Sequence, residues 1–537
     1  GKNSLPSGSR KNSRILKFMK HLQVLAQQIA ERNVSHAFGI PGSGPSLFLL
    51  DGLERHGVQF HLTHFEGSAA LMAGAIGKLS GQSAIAISIK GPGLTNMLPG
   101  LAACSLESFP VVSISEAYVP ETPPETCHKR IDHDKVLAGI VKYHCFLSHD
   151  GPSFENLSAL AETEIPGVVH VDIAASPADV PVPDMISTGR KFAATNWEKA
   201  VDLIGQSQRT VVIAGTVAVR KQWSERLNGL SVPVFSTAAA KGVINERLSH
   251  AGGVFTGVGG PFSPEHSIVP EADLVVALGL RHNEVLGVKP FHCPAIHIDP
   301  LGEEKSFGFQ FDHTIEGAPL QMDAIVNALL QKQWGLQLLE KTHKKLKDRL
   351  LTPSFLPAHV YWQMAKHFNG EARLVLDTGD FCTIGEHAWQ VQRPGLYLAS
   401  GQGRYMGVGI PMGIGAALYD PDVPTIVFTG DGGIGMFVAE MKLAVQNGLP
   451  LMLVLLSDSY LATIRGAALQ KGLSQHSTII DQPSWLKTME GLGVPGKQIT
   501  SISALEKALG EWKKNGPLFV EIPFDADAYQ SMTEGIR

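Results

Sequence analysis

Short apolar runs that end in glycine- or proline-rich turns alternate with amphipathic stretches along nearly the whole chain. His36–Ile40, Gln59–Thr63, Ala84–Ile89 and Val111–Ser115 read as strands. His21–Arg32, Ser46–Arg55 and Ala69–Leu79 carry helical spacing between them, and a further helix ends near Leu106. Val168–Ile173 adds another strand before Pro177, Pro181 and Pro183. The alternation resumes over residues 196–333, with Thr210–Ala214, Val232–Ser236, Leu274–Leu278 and Ala295–Ile298 as strands. A charged helical segment, Leu339–Leu350, separates this from a third block with strands Leu374–Leu376, Thr425–Thr429 and Leu451–Leu456. Strand and helix in alternation predict an α/β chain of doubly wound parallel sheets. At 537 residues it exceeds a single core, and three domains fit. Their expected bounds are 19–185, 196–335 and 353–537, preceded by a disordered basic Ser/Gly-rich arm or cloning scar, 1–18.

One unit concentrates the chemistry. The run Thr425–Thr429 delivers Gly430-Asp431-Gly432, helical spacing follows over Phe437–Gln446, and a second apolar run, Leu451–Leu456, meets Ser457-Asp458. Strand, glycine turn, helix and strand make a βαβ unit, so both turns fall at the carboxyl ends of parallel strands, where such sheets bind ligands. The glycines let the backbone approach a bulky anion, and a helix N-terminus suits phosphate. Asp431 and Asp458 offer hard oxygen ligands for Mg²⁺. Taken alone, Gly-Asp-Gly is equally a solvated turn with an N-capping Asp. The second carboxylate at the neighbouring strand end favours a metal–diphosphate site.

The Gly-Asp-Gly turn, with Asp458 standing 27 residues further on, resembles the signature of thiamine-diphosphate enzymes. Three further segments extend the resemblance, to acetohydroxyacid synthases and their relatives: His64–Gly81, Gly91–Asn96 and Ser400–Pro411. The resemblance implies a pyrimidine-binding, a central and a diphosphate-binding domain. It implies Glu66 as the catalytic carboxylate at N1′ of the aminopyrimidine, and Asp431, Asp458 and the Tyr460 carbonyl as Mg²⁺ ligands. Pro92, Asn96, Thr378, Gly379, Asp380, Phe381, Gly432, Gly433, Leu461 and Ala462 would line the cofactor. Arg404 would offer its carbonyl to the 4′-amino group, and Met406 would be the wedge that keeps the cofactor bent. Outside this segment Met406 would read as a core methionine. Glu66 alone would read as an exposed helix-start carboxylate.

Several positions depart from that pattern. Ser457-Asp458 replaces the usual Asn-Asn, Lys90 a Ser, Glu116 a Gln and Arg404 a Gly. Lys90 reads either as a solvated strand-end lysine or as a partner for a substrate carboxylate. With Glu116, and with His128, Arg130 and His133 of the polar loop Glu121–Asp134, it forms the substrate-side candidate set. The implied reaction is decarboxylation of a pyruvate-like 2-oxo acid, followed by addition to a carbonyl acceptor. A simple decarboxylase and a cofactor-binding homologue without turnover are the alternatives. FAD in the central domain, suggested by Gly215 and Arg281, is not favoured, because no full nucleotide fingerprint appears there. A homodimer or homotetramer is implied, with active sites between the first domain of one subunit and the third of another.

Charge and cysteine usage add exclusions. A net charge of −5 gives no general case for nucleic acid. Five cysteines without a CxxC pair indicate neither a disulfide framework nor a zinc site, and no apolar run has membrane-spanning length. A cytoplasmic protein is expected.

Overall fold

The computed structural model describes residues 19–177, 183–184, 197–284, 287, 290–301, 311–316, 319–481 and 483–536. The basic arm 1–18, Pro181 and most of the expected linker between the first two domains lie outside these residues. Three six-stranded sheets form, every pair parallel. The first contains β1 (His36–Ile40), β2 (Gln59–Leu62), β3 (Ala84–Ser88), β4 (Val111–Glu116), β5 (Tyr143–Phe146) and β6 (Val168–Ile173), in spatial order β2-β1-β3-β4-β6-β5. The second contains β7 (Thr210–Ala214), β8 (Val234–Thr237), β9 (Ala251–Phe255), β10 (Leu274–Leu278), β11 (Ala295–Asp299) and β12 (His313–Glu316), in order β12-β11-β10-β7-β8-β9. The third contains β13 (Arg373–Leu376), β14 (Tyr397–Ala399), β15 (Thr425–Gly430), β16 (Leu451–Ser457), β17 (Gly496–Gln498) and β18 (Leu518–Pro523), in order β14-β13-β15-β16-β18-β17. The chain makes two compact units, one with the first sheet and one with the second and third.

Unbroken apolar runs become central strands because helices cover both sheet faces. Leu451–Leu456, for example, is buried throughout. In the second unit a buried ion pair ties the second and third sheets together. The Lys241 ammonium reaches both oxygens of Glu246 (2.5 and 2.7 Å) and donates to the Glu386 carbonyl at 2.8 Å. The Val391 N–H donates to Glu246 Oε2 at 2.7 Å. Among the described residues no helix is long and apolar enough to cross a membrane.

Two helix starts differ from the sequence pattern. The helix expected from Ala69 begins at Glu66, after an extended Phe65. The helix expected from Phe437 begins at Asp431, runs to Phe437, tightens through Val438–Glu440 and resumes over Met441–Gln446. Glycine lowers helix propensity in 431–435, and packing overrides it. A Cβ on Gly433 would lie 2.3 Å from Asp377 Oδ2, so only glycine lets the turn sit this close.

Candidate active-site residues

In the first unit, Glu66 opens the helix Glu66–Ser80, which follows β2. Its carboxylate is buried, and the Asn96 amide donates to Oε2 at 3.1 Å. Asn96 lies on the helix Pro92–Leu106. The two helices meet at backbone distance, since a Cβ on Gly100 would be 2.1 Å from the Gly67 carbonyl oxygen. Pro92 is the first residue of its helix, after Gly91 at φ +66°. A Cβ on Gly91 would strike the Lys129 carbonyl at 2.1 Å, so that residue must be glycine. Gly67, Ser68, Ala69 and Ala70, which follow Glu66 in the helix, are buried too, and the Asn96 amide is the carboxylate's side-chain donor.

Lys90 and Glu116 find each other. Lys90 Nζ lies 3.1 Å from Glu116 Oε2, while the Ser46 N–H and hydroxyl donate to Oε1 at 3.1 and 2.6 Å. Glu116 is buried, and Lys90 also stands 5.2 Å from the Tyr118 ring. Lys90 is therefore not the solvated strand-end lysine considered above. His128 and Arg130 stay in their exposed loop, where His128 Nδ1 meets the Tyr118 hydroxyl at 3.2 Å and Arg130 donates to the Thr122 carbonyl at 3.0 Å. The expectation of an exposed polar loop fails at His133. It is buried against β6, with Nδ1 2.6 Å from Asp172 Oδ1, because a buried carboxylate on that strand needs donors.

In the second unit the loops after β13, β14 and β15 converge on Asp377. This fully buried carboxylate accepts the Thr378 N–H at 2.7 Å, the Gly407 N–H at 2.8 Å and the Thr429 hydroxyl at 2.8 Å. Burial pushes its carboxyl up to about 6 against those donors. The sequence reading passed over Asp377 as a site residue. A strand-end Asp after the buried run Arg373–Leu376 was the available signal. Thr378 donates its hydroxyl to the Tyr405 carbonyl at 2.9 Å. Asp380 turns to Thr463, whose hydroxyl donates to Oδ1 at 2.6 Å. The Phe381 ring packs under Gly379 and Gly430, where a Cβ would approach it to 2.3 and 3.0 Å. Over Gly432, Met406 Sδ and Leu461 Cδ2 each lie 2.8 Å from the Cβ position. Arg404 adopts φ +46°, a left-handed backbone that favours glycine.

Asp431 starts its helix at the end of β15 and is buried. Its Oδ2 accepts the N–H groups of Asp458 at 2.8 Å and Ser459 at 2.6 Å. Its Oδ1 is buried with no hydrogen-bond partner. The Asp458 carboxylate accepts the Tyr460 N–H at 3.1 Å, and burial, with Asp431's charge added, pushes it up to about 7. Leu461 donates its N–H to the Thr478 carbonyl at 2.8 Å and precedes the helix Ala462–Gln470. Two carboxylates at neighbouring strand ends, one with an orphaned oxygen, fit a hard divalent cation such as Mg²⁺. Gly432 and Gly433 beside them fit the close approach of a diphosphate.

The two positions that suggested a flavin are engaged internally. Arg281 is buried on Asp299 at 3.2 and 3.3 Å. At the turn after β7, Glu284 accepts the N–H groups of Thr216 at 2.5 Å and Arg281 at 2.6 Å. A Cβ on Gly215 would be 2.6 Å from Glu284 Oε2, so the carboxylate packs directly on the glycine of this turn.

Residues 19–122 match the N-terminal TPP binding domain of thiamine pyrophosphate enzymes, 197–320 the central domain, and 377–522 the C-terminal TPP binding domain. A probable acetolactate synthase large subunit of Methanococcus aeolicus is 26% identical, over 92% of this chain and 90% of its own. The acetolactate synthase isozyme 3 large subunit of Escherichia coli is 24% identical over 96% of each. With Glu66 in the first matched domain and Asp431 and Asp458 in the last, the chain belongs to the thiamine pyrophosphate enzyme family.

Proposed function

We propose that the chain decarboxylates a pyruvate-like 2-oxo acid and joins the two-carbon fragment to a carbonyl acceptor. The observation that carries this reading is end-to-end similarity to proteins named acetolactate synthase large subunit. Bound thiamine diphosphate supplies the electron sink for the pair released with CO₂. The chain's own residues do the rest. Glu66, desolvated and held by Asn96, exchanges a proton at N1′ of the cofactor's aminopyrimidine. Asp431, Asp458 and the Tyr460 carbonyl hold Mg²⁺, which neutralises the diphosphate. Asp377 fixes the three loops, Met406 packs against the cofactor, and Gly432 and Gly433 admit its phosphates. A homodimer or homotetramer in the cytoplasm belongs to the same reading.

The acceptor we infer is larger or more acidic than a second pyruvate. What supports this is Arg404, which brings a cation to the loop that carries Met406. ¹³C NMR with thiamine diphosphate, Mg²⁺ and labelled pyruvate tests the reading, with Glu66→Gln as control. Labelled acetolactate that disappears in the variant supports the carboligase and refutes the acceptor inference. Labelled acetaldehyde alone replaces the carboligase with a decarboxylase.

A further inference from the structure

Three imidazoles surround one buried carboxylate at the β5–β6 edge of the first sheet. His133 Nδ1 and His170 Nε2 stand 2.6 and 3.3 Å from Asp172 Oδ1, and His144 Nε2 stands 2.7 Å from Oδ2. Parallel pairing puts them together: His144 lies opposite His170, Asp172 is two residues on along the same face, and the short helix His133–Leu137 adds His133. His170 is 0% exposed, Asp172 1% and His133 8%.

We propose that His133, His170 and Asp172 bind a divalent transition metal of the zinc type, with His144 hydrogen-bonded to the second oxygen of Asp172 beside them. Their ligand atoms, one each from His133, His170 and Asp172, all lie within 4.8 Å of one another. The 3.3 Å from His170 to Asp172 is long for a hydrogen bond to a carboxylate. It matches the ligand-to-ligand edge of about 3.3 Å that a tetrahedral zinc with bonds of about 2.0–2.1 Å requires, whereas His133, at a hydrogen-bond distance of 2.6 Å, must give up that proton and draw back as the metal enters. The Ser113 hydroxyl meets His170 Nδ1 at 2.7 Å, the outer contact a metal-bound imidazole needs, and Asp134 Oδ1 meets His144 Nδ1 at 2.7 Å, so each ring keeps Nε2 turned inward. N and O donors without thiolate suit zinc and its first-row neighbours better than Mg²⁺.

The site's role is structural. It pins the helix His133–Leu137, and with it the end of the loop Glu121–Asp132, to β5 and β6. Lys129 of that loop packs its carbonyl against Gly91, where the helix bearing Asn96 begins. This inference stands independently of the proposed reaction.

The test uses the full chain, stripped with a chelator and titrated with Co²⁺ without thiamine diphosphate. We expect one equivalent of Co²⁺ with the intense visible bands of tetrahedral nitrogen and oxygen ligation, displaced by Zn²⁺. The bands are lost in His170→Gln and Asp172→Asn and kept in Asp431→Asn, which disables the oxygen-only site. Because buried variants can fail to fold, His144→Gln at the sheet edge serves as the milder probe, with an expected loss of at least about tenfold in Co²⁺ affinity. The proposal is overturned by an absence of tetrahedral bands in the wild-type chain, by bands that survive His170→Gln and Asp172→Asn, by unchanged affinity in His144→Gln, or by bands that vanish in Asp431→Asn.

Discussion

The first and third sheets share one strand order, so β3 and β4 of one correspond to β15 and β16 of the other. At those equivalent strand ends the chemistry has opposite sign. The first sheet carries Lys90 and Glu116, a cation and an anion 3.1 Å apart that neutralise each other. The third carries Asp431 and Asp458, two carboxylates linked through the Asp458 N–H, with Asp431 Oδ1 buried and unpartnered. The topology thus supplies two equivalent crevices, and the residue types decide their use. A self-neutralised pair needs no ligand. A like-charged pair stays ionised together only with a cation beside it.

The largest expected effect concerns the proton, which the first sheet's unit handles. Glu66→Gln keeps the shape and the Asn96 contact but removes the titratable group, so kcat should fall about 10²- to 10⁴-fold with the fold intact, measured by steady-state turnover and circular dichroism. Next comes the metal. In the wild-type chain, Mg²⁺ with thiamine diphosphate should raise the thermal midpoint, since both bind only the folded state. Asp431→Ala should abolish that rise. A full shift in the variant would place the metal elsewhere.

Much of this was legible from residue order alone. The parallel sheets followed from alternation and Asp431 and Asp458 from turns that close apolar strands, whereas Glu66 stood out only through the family resemblance. Three features were hidden, each for a physical reason. Asp377 is a hub only because three loops distant in sequence converge on it. The Lys90–Glu116 pair joins two strand ends whose adjacency depends on sheet order. His133 looked like loop surface because the partner that buries it, Asp172, lies 39 residues away on an edge strand pair.

The two charge pairs should respond oppositely to losing one charge. Lys90→Met strands the buried Glu116 carboxylate on the Ser46 N–H and hydroxyl, and should destabilise by about 2–3 kcal/mol, a figure at the low end because Lys90 is partly exposed. Adding Glu116→Gln should recover part of that loss. Asp458→Asn removes a repulsion instead, so without divalent cation it should raise the thermal midpoint. Matching signs in the two experiments would refute the contrast.

Asp377 gives a smaller, pH-dependent effect. Burial raises its carboxyl from the ordinary 3.8 to about 6, so between those values the folded chain binds more protons than the unfolded one. The stability contributed by this group therefore falls as pH rises from about 4 to about 6, by at most about 3 kcal/mol. Asp377→Asn should flatten that part of the profile, seen as a ratio of thermal midpoints to wild type across the window. A parallel profile would mean that the donors, not burial, set the state of the carboxyl.

The smallest effect tests whether the third sheet trades stability for its charged rim. Arg404 holds φ +46°, where a side chain costs about 1–2 kcal/mol relative to glycine. Glycine also gains freedom in the unfolded chain, which offsets about 0.4–1 kcal/mol of that relief. Arg404→Gly should therefore stabilise the chain by no more than about 1.6 kcal/mol, read as a small rise in the denaturant midpoint at unchanged slope. If Arg404 serves only the backbone turn, KM for the acceptor stays put while stability rises. If its cation meets an acidic acceptor, KM for that acceptor rises while pyruvate decarboxylation proceeds as before. The strain is then the cost of a specificity charge placed on the sheet whose strand ends carry Asp431 and Asp458.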